Sequence, residues 1–188
     1  EFALTAIHFP PDDRALDLAR RRLAFEELFY LAVGLGFLKR RRTTLSTGCP
    51  IPALPVEQFS ALLPFTPTDA QRRTMEEAAR DMACGRPMNR LVQGDVGSGK
   101  TLVALMAMLI AVGNGYQACI MAPTEILAEQ HFDTIRNFLG DMDVRVELLT
   151  GTVKGRRRRM VLDDLLAGKV NILVGTHAVV GDTVRFSC

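Results

Sequence analysis

The 188 residues carry almost no net charge: 23 Lys and Arg against 21 Asp and Glu leave a formal +2. A balance so close to neutral excludes bulk attraction to nucleic acid as the defining property of the chain. Histidine is scarce. His8, His131 and His177 stand alone and no HExxH is present, which removes the helix-borne zinc hydrolases from consideration. Cys49, Cys84, Cys119 and Cys188 include no CxxC pair and have no histidine at metal-ligand spacing, a pattern that suits free thiols in a reducing cytoplasm. No secretory signal is visible, and the longest apolar run, Leu28 to Leu38, is too short to cross a bilayer. The expectation is a cytoplasmic, monomeric chain with no membrane partner. An initiator Met is lacking as well, so a piece of a longer protein is expected. At 48% hydrophobic content there is material for one domain core and an appended segment.

What is present is dominated by GDVGSGKT, Gly94 to Thr101, which fits the phosphate-binding pattern G-x-x-x-x-G-K-[ST] without a gap. The flanks suit it: Asn89 to Gln93 reads as a short buried strand and TLVALMAMLIAV as a helix. Gly94, Gly97 and Gly99 allow the backbone to curl with its N–H groups inward, and the helix start adds its positive dipole end. A polyphosphate is thereby held by main-chain donors. Lys100 would reach the β and γ phosphates, and the Thr101 hydroxyl would be a ligand for the Mg²⁺ that bridges them.

Two regions flank a proline-rich stretch. Pro10 to Asp13 looks like a helix start, and from about Arg14 to Arg42 the spacing of Leu18, Phe25 and Ala32, and of Ala24, Leu31 and Leu38, predicts one long amphipathic helix. Thr43 to Pro64 reads as a linker. Beyond it the pattern alternates: helix Thr68 to Ala83, strand Arg90 to Gln93, helix Lys100 to Val112, strand Ala118 to Met121, helix Glu125 to Leu139, strand Val144 to Leu149, helix Arg156 to Leu166 and strand Val170 to Val174. Such alternation specifies an α/β, doubly wound fold with a parallel sheet flanked by helices, whose ligands sit at the carboxyl ends of the strands.

The remaining motifs each admit a bland and a functional reading. Thr68 and Gln71 form a T-x-x-Q capping box, which would start a helix with no ligand at all. The amide of Gln71 could equally pair with the N6/N7 edge of adenine. Thr124 in APTEILAEQH caps the next helix or, with the exposed N–H groups there, receives a backbone phosphate. Thr150-Gly151 and Gly175-Thr176-His177-Ala178 are small polar loops at strand ends. Lys39 to Arg42 complements a helix C-terminus or touches nucleic acid, whereas Arg156 to Arg159 opposes the dipole at a helix start. Asp163-Asp164 lies in a helical pattern and is expected to face solvent.

FTPTDAQ, RLVQGDVGSGKT, APTEILAEQH, LLTG and VGTHA, in that order and at these spacings, resemble the first motor domain of superfamily-two helicases, and among them the bacterial helicases of branched DNA. The resemblance spans nearly the whole chain, since Ile7 to Pro10 and ARRRLAFEEL are similar to the end of a DNA-binding wedge domain and the helix joining it to the motor. It implies a RecA-like P-loop domain over 64–188, preceded over 1–63 by the wedge end and a long linker helix. Implied with it are ATP and Mg²⁺ as cofactors and branched DNA as partner, in an ATP-dependent helicase that remodels stalled forks and Holliday junctions during recombination and repair. By the same resemblance Gln71 recognises adenine. Gly94, Asp95, Val96, Gly97, Ser98, Gly99, Lys100 and Thr101 bind ATP, Lys100 and Thr101 serve catalysis, and Thr101 holds the magnesium. Pro123, Thr124, Gly151, Thr176 and His177 lie along the DNA strand.

The chain departs from the family's pattern in stopping before the acidic D-E-x-H motif expected soon after GTHA, so it is expected to bind ATP without hydrolysing it. A transcription-repair coupling translocase shares the module, although Ser98 and the wording APTEILAEQH favour the branched-DNA helicases. A small-molecule P-loop kinase or transport ATPase would share the loop without the later segments. A nucleotide-binding regulatory module is the third class.

Overall fold

The computed structural model describes residues 2–45, with side chains through residue 40, together with 48–52 and 66–187. The chain divides into two compact units, Glu1–Thr47 and Gly48–Cys188. The expected boundary between residues 63 and 64, most of the predicted linker, Phe65 and the side chains of Arg41 and Arg42 lie outside the described residues.

The first unit is a helical pair, α1 (Phe2–His8) and α2 (Asp13–Leu45). Asp12 starts α2, its Oδ1 accepting the Ala15 N–H at 2.7 Å. The small side chains of Ala6, Ala15 and Ala19 form the contact between the two helices. The predicted amphipathic stripe is not what α2 shows. Leu28 and Leu31 are exposed, but so are Tyr30 and Phe37, each at 71%, so the helix is apolar on every side between Leu28 and Leu38. The reason lies in LFYLAVGLGFL: adjacent residues stand about 100° apart on a helix, and an unbroken apolar run therefore covers every side.

The second unit is built on three parallel strands, β1 (Ala118–Met121), β2 (Val146–Leu149) and β3 (Ile172–Gly175), in the order β1-β3-β2. Its helices are α3 (Asp69–Ala83), α4 (Lys100–Gly113), α5 (Glu125–Leu139) and α6 (Gly155–Leu166), and a 3₁₀ turn spans His177–Val180. In β3 the period of two is explicit. Ile172 and Val174 join Met75, Leu105, Met106 and Ile135 on one face. Leu173 joins Leu149, Val161 and Leu165 on the other. This is the expected α/β architecture, a parallel sheet flanked by helices. Cys49, Cys84 and Cys119 are free thiols, and among the described residues no helix is long and apolar enough to cross a membrane.

Three expectations are corrected. The run Arg90 to Gln93 pairs with no described strand. Leu91 is 81% exposed, and only Val92 of the run packs against the core. Its anchor is ionic: Arg90 donates to Asp81 Oδ2 at 2.7 and 2.9 Å and to Glu77 Oε2 at 2.6 Å, clamping the run to α3. β2 and β3 each begin two residues later than the apolar pattern suggests, because Asn171 Oδ1 takes the Arg145 N–H at 2.8 Å where a ladder bond would otherwise form. Asp163 is exposed as expected, but Asp164 is half-buried, accepting from Arg145 at 2.8 Å and pairing with Lys169 at 3.5 Å. The Arg145 guanidinium, and Lys169 after it, hold the Asp164 carboxyl below its ordinary range.

β3 ends where the sheet is tightest. A Cβ on Gly175 would collide with the backbone carbonyl of Leu149 and stand 2.6 Å from Val179 Cγ1. The carbonyl belongs to a paired strand and cannot retreat. Gly175→Ala is expected to lower stability by roughly 1–3 kcal/mol, the usual cost of overpacking, as measured by urea unfolding, with the far-ultraviolet circular dichroism of the surviving folded state unchanged.

Candidate nucleotide site and nucleic-acid interface

The glycine loop owes its shape to two left-handed residues, Gly97 at φ 81° and Gly99 at φ 82°, conformations that side chains strain. Ser98 N–H closes a turn onto Asp95 O at 3.2 Å, and Gly99 is the N-cap of α4. No side chain caps that helix start; the Leu102 N–H turns back onto Gly99 O at 2.9 Å, and the N–H groups of Lys100 and Thr101 ahead of it face the anion position. Lys100 Nζ folds over the loop and donates to Gly94 O at 2.8 Å and Asp95 O at 2.7 Å. A flexible cation is thus held at the loop's mouth. Behind it Leu102, Val103, Leu105 and Met106 are buried, so the loop is mounted on a helix fixed in the core.

Gln71 meets the loop from α3. Its Oε1 accepts the Thr68 N–H at 2.9 Å while the Gln71 N–H reaches Thr68 Oγ1 at 3.3 Å, completing the capping box. The same amide then donates from Nε2 to Ser98 O at 2.9 Å. A Cβ on Gly99 would run into that amide nitrogen. The bland reading of Gln71 is therefore correct as far as it goes, and the side chain additionally bridges a helix start and the phosphate loop.

The predicted nucleic-acid residues gather at one edge of the sheet. Met121, Gly175 and Leu149 are in register across the three parallel strands, so the segments that follow leave side by side. After β1 come Pro123 and Thr124, both exposed, with Thr124 Oγ1 accepting the Leu127 N–H at 3.3 Å. After β2 comes exposed Gly151, in a loop braced by the hydroxyls of Thr150 and Thr152 at 2.7 Å. After β3 the pair divides: His177 is exposed, whereas Thr176 is only 3% exposed. α4 runs back toward β1 through a short connection, which puts its N-terminus and the glycine loop toward this same edge. Arg156, Arg157 and Arg159 are exposed at the start of α6, whose N-cap Lys154 provides no side-chain bond. A groove of about 600 Å³ lined by Arg136, Arg145, Glu147 and Arg157 lies elsewhere and shares no residue with the glycine loop.

Two contacts have little signature in sequence. The Arg90 fork could have been suspected from acidic residues four apart on α3, Glu77 and Asp81, but not assigned. The Glu125 carboxylate accepts the Thr152 N–H at 3.2 Å across 27 residues, and no local pattern announces that.

A glycine loop with two left-handed residues, beside the strand ends of a parallel sheet with helices on both faces, defines a RecA-like P-loop domain. A protein-family model described as DEAD/DEAH box helicase matches residues 68–187. The chain belongs to that family. It is 48% identical over 188 residues to the ATP-dependent DNA helicase RecG of Synechocystis, covering 98% of this chain and 22% of that protein. With the RecG of Bacillus subtilis it shares 46% over 186 residues, covering 98% and 27%. A solved structure of RecG bound to a three-way DNA junction superposes with a TM-score of 0.87 at 38% identity, over 98% of this chain and 25% of that one. The chain thus spans about a quarter of the length of these relatives.

Because Arg90 replaces sheet pairing as the anchor ahead of the loop, Arg90→Ala should release it. The expected result is faster thermolysin cleavage within Leu91 to Gln93 with β3 still resistant, and Arg90→Lys, which keeps the charge but loses the fork, should recover only part of the resistance.

Proposed function

We propose that this chain is the ATP-binding part of an ATP-dependent DNA helicase or translocase that remodels branched DNA. One observation carries the reading: the glycine loop with Lys100 at its mouth lies toward the sheet edge that presents Thr124, Gly151 and His177. The relatives named above favour branched DNA over transcription-repair coupling. In this reading residues 64–188 are the first motor domain, and α2 is the linker helix that follows the wedge.

The chemistry follows from the groups in place. The main chain of Gly94, Asp95, Val96, Gly97, Ser98 and Gly99 donates to the phosphates, and Lys100 exchanges its loop carbonyls for the β and γ phosphates. Thr101, half-buried in the first turn of α4, offers one hydroxyl to Mg²⁺. Among the described residues no group of three or more His, Cys, Asp or Glu could hold a metal, and a Mg²⁺ bound with the nucleotide would ordinarily keep phosphate oxygens and water among its ligands. The metal would neutralise charge on the phosphates. Gln71 turns its amide to adenine at the cost of its bond to Ser98. Pro123, Thr124, Gly151, Thr176 and His177 follow the DNA backbone, with His177 and the Thr176 main chain acting for the third loop because the Thr176 side chain is buried.

Phosphoryl transfer is accelerated by positioning the water and by neutralising charge on the γ phosphate. The residues above hold the nucleotide but include no carboxylate to orient that water. The 188-residue chain should therefore bind Mg·ATP and release phosphate near background, with or without branched DNA. In titration calorimetry Lys100→Ala should weaken ATP binding markedly, and Gln71→Ala should erase about 1–3 kcal/mol of the preference for ATP over GTP. DNA-stimulated turnover that vanishes in Lys100→Ala would overturn the hydrolysis half, and an unchanged ATP preference would leave Gln71 as a cap alone.

Every candidate DNA contact is to backbone. Affinity for a 20-nucleotide oligothymidylate should fall steeply as salt rises, and oligonucleotides of different sequence should bind alike in fluorescence anisotropy. A salt-independent isotherm would count against the interface.

A further inference from the structure

We propose that Glu125 is a positioning residue that fixes the spacing between two phosphate-contact loops, Pro123-Thr124 after β1 and Thr150-Gly151-Thr152 after β2. The inference rests on the nucleic-acid reading above. β1 and β2 do not pair with each other, because β3 lies between them. Two strand spacings, roughly 9–10 Å, therefore separate the loops; pairing with β3 sets the height of the strand ends at Met121 and Leu149, but no ladder bond joins the two loops beyond them. A strand of nucleic acid that touches both loops needs their relative height constant.

Both ends of the tie are stiff. Glu125 is the first residue of α5, a helix start secured by Thr124 Oγ1 on the Leu127 N–H at 3.3 Å. At the other end Thr152 N–H donates to Glu125 Oε1 at 3.2 Å, and the Thr150–Thr152 hydroxyl pair at 2.7 Å makes the loop follow its Thr152 amide. Gly151 completes the fit: a Cβ there would stand 3.0 Å from the same carboxylate oxygen. Glycine at that position leaves the carboxylate its place as well as giving close approach to a ligand. Direct contact with DNA is the wrong role for Glu125, since a carboxylate repels phosphate. Its first-turn position also favours the helix dipole, and the test has to separate that effect from the tie.

The 188-residue chain and its Glu125→Ala, Glu125→Gln and Gly151→Ala variants would be compared by amide exchange at Thr152 in NMR, by anisotropy with a 20-nucleotide oligothymidylate at low salt, and by ATP titration. Glu125→Ala should expose the Thr152 amide and weaken oligonucleotide binding about 10-fold, the worth of one hydrogen bond to a charged group, with ATP affinity unchanged. Glu125→Gln keeps an acceptor oxygen and should bind within about 2-fold of wild type. Gly151→Ala, whose Cβ the carboxylate can clear by a few tenths of an ångström, should speed Thr152 amide exchange less than Glu125→Ala does. Equal weakening in Glu125→Gln and Glu125→Ala would assign the effect to charge at the helix start, and unchanged binding in Glu125→Ala would remove the role. Failure of wild type to bind the oligonucleotide sinks the nucleic-acid reading and this role with it, whereas Thr152 exchange reports on the tie in either case.

Discussion

Everything in the second unit is referred to strand β3. It is the one strand of the described sheet paired on both edges, and all four of its residues are buried. Ile172 and Val174 draw α3, α4 and α5 onto one face, while Leu173 draws α6 and the 3₁₀ turn onto the other. Gln117 reinforces it from outside the ladder, donating to Leu165 O at 2.8 Å and Val170 O at 2.7 Å, so the end of α6 and the approach to β3 are held by one amide. The loops with chemical promise are attached to the ends of this element and its two neighbours. Their geometry is only as good as its packing.

The glycine loop is less embedded than its importance suggests. Val96 at its tip is fully exposed, and the run leading into it belongs to no strand. Order is imposed from the sides instead. α4 anchors the loop through apolar burial, Gln71 touches it at Ser98, and Arg90 clamps the approach to α3. Two of these three restraints come from α3, so a shift in that helix would be felt at the glycine loop through Gln71 and Arg90.

Local rules made much of this legible. The capping box at Thr68 and Gln71, the cap at Thr124, the extents of β1 and α5 and the glycine loop all depend on residues within a few positions of one another, and such features can be read from sequence. What escaped depends on distant partners. Arg90 to Gln93 has strand composition, but a strand exists only when another edge pairs with it. The α2 stripe fails where Leu28 to Leu38 is an unbroken apolar run, since any period fits such a run. Glu125 and Thr152 are 27 residues apart, and their bond is fixed by strand order, which no spacing in the sequence encodes. Thr176 was readable as a polar residue at a strand end, but not as a buried one.

The short segment 48–52 has a practical meaning for handling the protein. Gly48 N–H donates to Gly85 O and Ile51 N–H to Met82 O, each at 3.0 Å, while Asn114 Nδ2 reaches Pro52 O at 3.0 Å and Cys49 shares a hydrogen bond of 2.8 Å with Tyr116. Five residues that look like connecting chain are laced to the end of α3 and to the turn between α4 and β1. An alignment-based trim would start the domain near Thr66 and discard that lacing, leaving Ile51's place on the core open to solvent. The sound cutting point for a shortened, labelled or fused version is ahead of Gly48, and a thiol label on Cys49 would loosen the very seam that such trimming is meant to preserve.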